Sequence, residues 1–132
     1  MGVFMGNTMG AADDFTPSCR SDSTAPDRVH LWAAPSPGCY RFDTVGSDYD
    51  TVLALYSQTS CDPMMRMELA CNDDIDPGMG RLRSYVCHEF AMPGDQVLVV
   101  VDGFGSAAGS YRVNVTRIAD GSCPPMCPPP SP

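Results

Sequence analysis

QVLVVVDG, residues 96–103, decides the fold. It is apolar at consecutive positions rather than alternate ones and is closed by turn residues on both sides, MPGD (92–95) and GFGSAAG (103–109). A short run of this kind predicts a central strand covered on both faces. Moving outward, SYRVNVTRI (110–118) alternates and predicts a strand with one wet face. Further strands are expected at LRSYVCHEF (82–90), MELAC (67–71), TVLALYS (51–57), CYRFDT (39–44) and VHLWAA (29–34), with breakers such as PSPG and DDIDPGMG between them. Only residues 64–71 hint weakly at a helical period. Short strands at this spacing predict an antiparallel β-sandwich, jelly-roll-like, of seven to nine strands.

The flanks differ in kind. Residues 1–28 are turn-rich and without sustained periodicity, so they are expected to form an N-terminal arm lying on a sandwich of residues 29–118. DGSCPPMCPPPSP (120–132) is dominated by Pro, which favours polyproline II and cannot join a sheet ladder, so residues 119–132 are expected to be a linker or tail.

A chain of 132 residues is one domain's worth of material. It has no apolar run long enough to span a membrane. The 16 acids are 14 Asp and 2 Glu and the eight bases are all Arg, a composition suited to loops and short strands rather than helix surfaces. A net charge of -8 repels phosphate backbones and anionic lipid, which argues against nucleic-acid and membrane partners. Seven Cys without a C-x-x-C pair or a His cluster point to disulfides in an oxidising, extracellular compartment, with one thiol left over. MGVFMGNTMG is not a secretory signal, so the chain is expected to be a fragment of a longer secreted protein.

Several segments together resemble the pre-peptidase C-terminal domain family, in its cysteine-bearing form. They are GAADDFTPSC (10–19), APDRVHLWAAPSPGCYRFDT (25–44), SDYDTVLALYS (47–57), CDPMMRMELACNDD (61–74) and VVVDGFGSAAGSYRVNV (99–115). The family's usual pattern has a small polar residue at Cys39 and a Cys at Val45. The YDTVL and CNDD elements are also similar to the acidic loops of CUB domains. The resemblance implies a non-catalytic β-sandwich module that assists secretion, anchoring or substrate engagement, with calcium and collagen bound by some collagenase members. It also implies a bridge between Cys61 and Cys71, which flank one short segment. Cys123 and Cys127 are unsuited to each other, since polyproline II sets their Cα atoms roughly 12 Å apart against a limit of about 7 Å. One of them is expected to tie the tail to Cys19 or Cys39, and Cys87 could face Cys39.

Acidic residues gather in three places: Asp13, Asp14 and Asp27; Asp48 and Asp50 with Asn72, Asp73, Asp74 and Asp76; and Asp102. Calcium takes six to eight oxygens, which clustered carboxylates and loop carbonyls supply. Asp13, Asp14, Asp27, Asp50, Asp73 and Asp74 are therefore the candidate ligands, against the alternative that these Asp close turns through their own backbone. The series Asn72, Asp74, Asp76 begins like an EF-hand, but Pro77 takes the turn position and Arg83 stands where the closing Glu belongs. Catalysis has little support. The Asp-Thr-Val pieces at 43–45 and 50–52 lack the Gly of an aspartic-protease loop, and His30 and His88 sit within strand patterns. Phe104, flanked by Gly103 and Gly105, is the expected exposed ligand-binding aromatic. Asn114-Val115-Thr116 is a glycosylation acceptor sequence inside a strand.

The leading expectation is a binding or adhesion module whose partners are an extracellular protein, a glycan, or neighbouring domains of its own polypeptide. A structural bead of a filament, wall or coat with Pro-rich spacers, and an accessory domain of a secreted peptidase, are the alternatives.

Overall fold

The computed structural model of the chain describes residues 2–13, 17–20, 24–57, 67–73 and 83–130. Their eight strands form two four-stranded antiparallel sheets packed face to face. The strands are β1 (Gly2–Asn7), β2 (Arg28–Ala33), β3 (Gly38–Asp43), β4 (Thr51–Ser57), β5 (Glu68–Asn72), β6 (Tyr85–Phe90), β7 (Gln96–Gly103) and β8 (Ser110–Ala119). One sheet runs β1-β8-β3-β6 and the other β2-β7-β4-β5. Among the described residues a single 3-10 turn, Ser18–Arg20, interrupts the β structure, and no helix is long and apolar enough to cross a membrane.

The expected central strand is β7, flanked by β2 and β4 and buried from Val97 to Gly103. Val97, Val99 and Val101 face the inter-sheet core with Leu53, Leu55, Tyr40, Phe42, Val113 and Val115. Trp32 meets Tyr40, Phe42 and Phe90 edge-on at centroid distances of 5.0, 5.2 and 5.3 Å, geometry that favours aromatic rings beyond plain burial. At one end of the sandwich three hydroxyls are buried together. Thr44 and Thr51 oxygens lie 2.6 Å apart, the Ser84 amide donates to Thr44 at 2.7 Å, and the Ser84 hydroxyl donates to the Thr51 and Asp73 carbonyls. Buried hydroxyls need such partners, and here they join the starts of β4 and β6 to the end of β5.

Residues 1–28 are not wholly an arm. Gly2–Asn7 enters the sheet as β1, pairing antiparallel with β8 from Gly2↔Val115 to Asn7↔Ser110. Two glycines break its pattern in the sequence, and one has a packing reason: a Cβ on Gly6 would stand 2.5 Å from the Tyr111 hydroxyl. Of the residues that follow, the described ones are tied to the sandwich at several points: Thr8 to the Gly109 carbonyl, Ser18 to Glu68 and Thr24 to the Gly105 carbonyl. Val52, Ala54 and Val100 point away from the inter-sheet core yet are fully buried, and Cys19 is bridged to Cys71.

That bridge corrects the expected Cys61–Cys71 pair: Cys71 is held by Cys19 across the sheet face, and Cys61 lies outside the described residues. The arm, rather than the local loop, supplies the partner. The Pro-rich tail folds back as a strap over the outer face of β1-β8-β3-β6 through Cys39–Cys123 and Cys87–Cys127, with Cα separations of 4.9 and 5.6 Å. Arg41 donates to the carbonyls of Pro128 and Pro129 at 3.1 and 3.4 Å. Both tail cysteines are used, and neither bonds the other.

Candidate metal centre

Arm and sandwich meet at a group of carboxylates. Asp102 sits on β7 on the same side as Leu98 and Val100, away from the inter-sheet core. β2 pairs with β7 in the register Arg28↔Val101, so Asp27, one residue before β2, falls opposite Asp102. The Asp27 amide donates to the Ala12 carbonyl at 3.0 Å, which brings Asp13 alongside. One carboxylate oxygen each from Asp13, Asp27 and Asp102 lie within 4.8 Å of one another, with Asp13 exposed, Asp27 4% exposed and Asp102 0%. Oxygens that share a calcium ion at about 2.5 Å are at most about 5 Å apart, so the spacing fits. Three carboxylates this close also repel unless protons or a cation lie among them.

The surroundings are built for close approach. A Cβ on Gly103 would collide with the Ala107 carbonyl and stand 3.1 Å from the Ala25 Cβ, so only Gly lets the arm and the following turn close over β7 here. Thr24 donates from its amide to the Gly105 carbonyl at 2.8 Å, pinning the arm to that turn. The Gly103 amide donates to one Asp102 carboxylate oxygen at 2.8 Å. Burial pushes the nearby Tyr49 phenol up to about 12, with the charges of Asp102 and Asp48 adding to the effect.

The expected ligand sets divide. Asp13 and Asp27 come together as expected, and Asp102, kept apart in the sequence reading, joins them. The signal that could have linked it is the antiparallel register of β2 and β7, which a strand list without pairing does not contain. Asp14 and Asp74 lie outside the described residues. Asp50 accepts the Phe104 amide on its backbone carbonyl at 2.9 Å, and Asp73 accepts the Ser84 hydroxyl on its own, so both hold turns together through main-chain atoms. Among the described residues Asp13, Asp27 and Asp102 are the one group of this kind.

Phe104 is 40% exposed on a turn closed by the Ala107 amide donating to its carbonyl at 2.9 Å. The Asn114 amide nitrogen donates to Asp43 and to the Val45 carbonyl at 2.8 and 3.0 Å, and its oxygen accepts from Arg112 at 2.9 Å, so the group that would carry a glycan is committed within the sheet. His30 is packed as a structural residue. Its Nε2 is 2.6 Å from the Tyr111 hydroxyl, and the Phe4 ring stacks on it at 4.7 Å. Burial, and secondarily Arg28, lowers its pKa, and burial lowers that of His88 against the opposing charge of Glu89.

No protein-family model matches the sequence, and no curated protein does. Among solved structures the fold is similar to the pre-peptidase C-terminal domain of a collagenase from Bacillus anthracis, with a TM-score of 0.52 and 12% identity. The match covers 87% of this chain and 88% of that one. At that identity the likeness is one of architecture: the chain has the β-sandwich fold of a pre-peptidase C-terminal domain.

Proposed function

We propose that this chain is a non-catalytic extracellular module of a larger protein, serving to engage a partner on behalf of its neighbours and stabilised by calcium at Asp13, Asp27 and Asp102. The observation that carries the reading is the likeness, over most of both chains, to a domain taken from a collagenase. That likeness favours an accessory role beside a secreted peptidase over a purely structural bead. Three disulfides suit an oxidising compartment. Both histidines have structural surroundings: His30 under Phe4 and Tyr111, His88 against Phe90.

Collagen is the first partner to try, because the similar structure is a collagenase domain. The test is retention of the chain on fibrillar collagen and on immobilised extracellular glycans, with turnover of peptide and ester substrates followed in parallel. Retention on one of these, weakened by Phe104→Ala and accompanied by no turnover, is the expected result. Retention on none of them would return the structural bead to first place, and turnover would overturn the non-catalytic reading.

A further inference from the structure

The two sheets leave a cavity of about 350 Å³ on the side where their outer strands β5 and β6 come together. It lies at the end of β6, beside the turn into β7. Leu69 from β5, Phe90 from β6 and Val97 from β7 give it apolar walls. Ligand pockets of roughly 300–1,000 Å³ combine such walls with a few polar groups.

The polar groups of this cavity are short of donors. His88 lies between the buried Val86 and Phe90 on the same side of β6, in register with the core residue Tyr40. Its ring meets Phe90 edge-on at 5.0 Å, and its nitrogens have no hydrogen-bond partner among the described residues. Burial lowers its pKa against the opposing charge of Glu89, so at neutral pH the ring is uncharged and offers an acceptor nitrogen. Glu89 and Asp95 are exposed residues of the lining, and no Arg is among it. Asp95 accepts the Met92 amide on one carboxylate oxygen at 3.1 Å, which leaves the other for a ligand. The turn that carries it is pinned beyond the end of β2: Ala34 donates to the Asp95 carbonyl at 2.8 Å and Gly94 to the Ala34 carbonyl at 2.7 Å. The carboxylate is therefore held in place before a ligand arrives.

We propose that this cavity binds an arginine side chain presented by a partner protein. A guanidinium is donor-only and always charged, which matches a lining of two carboxylates and a neutral imidazole. Its plane can lie against the Phe90 ring, and the methylene stem along Leu69 and Val97. An acidic ligand is opposed by Glu89, Asp95 and the net charge of -8, and the same charge draws a basic partner. A metal ion does not fit: among the described residues only Asp13, Asp27 and Asp102 bring ligand atoms close enough together. The cavity is separate from that group and from Phe104, and it rests on the proposed engaging role only for the source of the arginine.

The test is proton NMR of the intact chain, whose two histidines, His30 and His88, each give a ring signal. Nα-acetylargininamide is added near neutral pH at fixed ionic strength, with the lysine and leucine analogues for comparison. The arginine compound is expected to shift the His88 signal saturably, the lysine compound more weakly and the leucine compound not at all. His30, stacked on Phe4, is expected to stay unmoved. Glu89→Gln combined with Asp95→Asn is expected to weaken binding about tenfold or more. Asp120→Asn, which removes an exposed charge elsewhere, is expected to leave it unchanged. Circular dichroism checks that each variant keeps its β signal. No His88 shift with arginine, an equal shift with the lysine or leucine compound, or undiminished binding by the folded double variant overturns the proposal. Because the probe is a small molecule, failure on collagen counts against the proposed role and not against the cavity.

Discussion

The two outer faces of the sandwich are covered by different means. On β2-β7-β4-β5 the outward-pointing Val52, Ala54 and Val100 are fully buried, and the arm is joined to this sheet by one disulfide, backbone hydrogen bonds and the carboxylate group. The face of β1-β8-β3-β6 under the strap presents Arg41, Asp43 and Glu89, and the Pro-rich strap is held there by two disulfides and the Arg41 hydrogen bonds. The reason lies in the strands below. An apolar face gains by being covered, so packing holds the arm. A polar face gains little, and proline nitrogens cannot donate to the carbonyls beneath, so covalent bonds hold the strap. The arm therefore belongs to the core, and the strap is an attachment.

Removing each cover should separate the two most clearly. Deleting residues 1–27, with Cys71→Ser, takes away β1 and exposes Val52, Ala54 and Val100. The loss is expected to match the whole stability of a small domain, about 5–15 kcal/mol, seen as dye-binding, non-cooperative melting. Deleting 120–132, with Cys39→Ser and Cys87→Ser, should leave a cooperatively folding sandwich of lower Tm. If both truncations behave alike, the contrast fails. Opening a single strap disulfide, Cys87→Ser with Cys127→Ser, should cost about 2–5 kcal/mol in urea unfolding.

A smaller effect comes from pH. His30 and His88 have lowered pKa values, so as pH falls below about 6.5 the unfolded chain takes up protons that the folded one resists, and stability drops. Tm should fall between about pH 7 and pH 5, with His30→Gln blunting the fall, and calorimetry at matched ionic strength checks it. An unchanged slope in that variant would place the dependence elsewhere. Smallest of all, Phe104→Ala on its exposed turn should alter stability by no more than about 0.5 kcal/mol.

The same contrast explains what was legible in the sequence. QVLVVVDG reads as covered on both faces, and Val97 to Gly103 are buried; TVLALYS and QVLVVVDG have the same limits in the structure as in the reading. SYRVNVTRI reads as one-sided, and it is. β1 was hidden because two glycines break its alternation and its partner lies more than a hundred residues away. The Cys19–Cys71 bridge and the meeting of Asp102 with Asp13 and Asp27 were hidden for a related reason. Both depend on which strand neighbours which, and on the path of the arm across the sheet, neither of which local pattern contains.

The claim that the arm is fastened to the sandwich through a cation is tested most directly by calorimetric melting with Ca²⁺, with Mg²⁺ at equal concentration, and with EDTA, in the parent chain and in Asp27→Asn and Asp102→Asn. A ligand at a hundred times its Kd that binds only the folded state adds about 2.7 kcal/mol. The account predicts a rise in Tm with Ca²⁺ that exceeds the rise with Mg²⁺, is reversed by EDTA, and is absent in both variants. Equal shifts with the two ions that persist in Asp27→Asn and Asp102→Asn would reduce the effect to charge screening and contradict it.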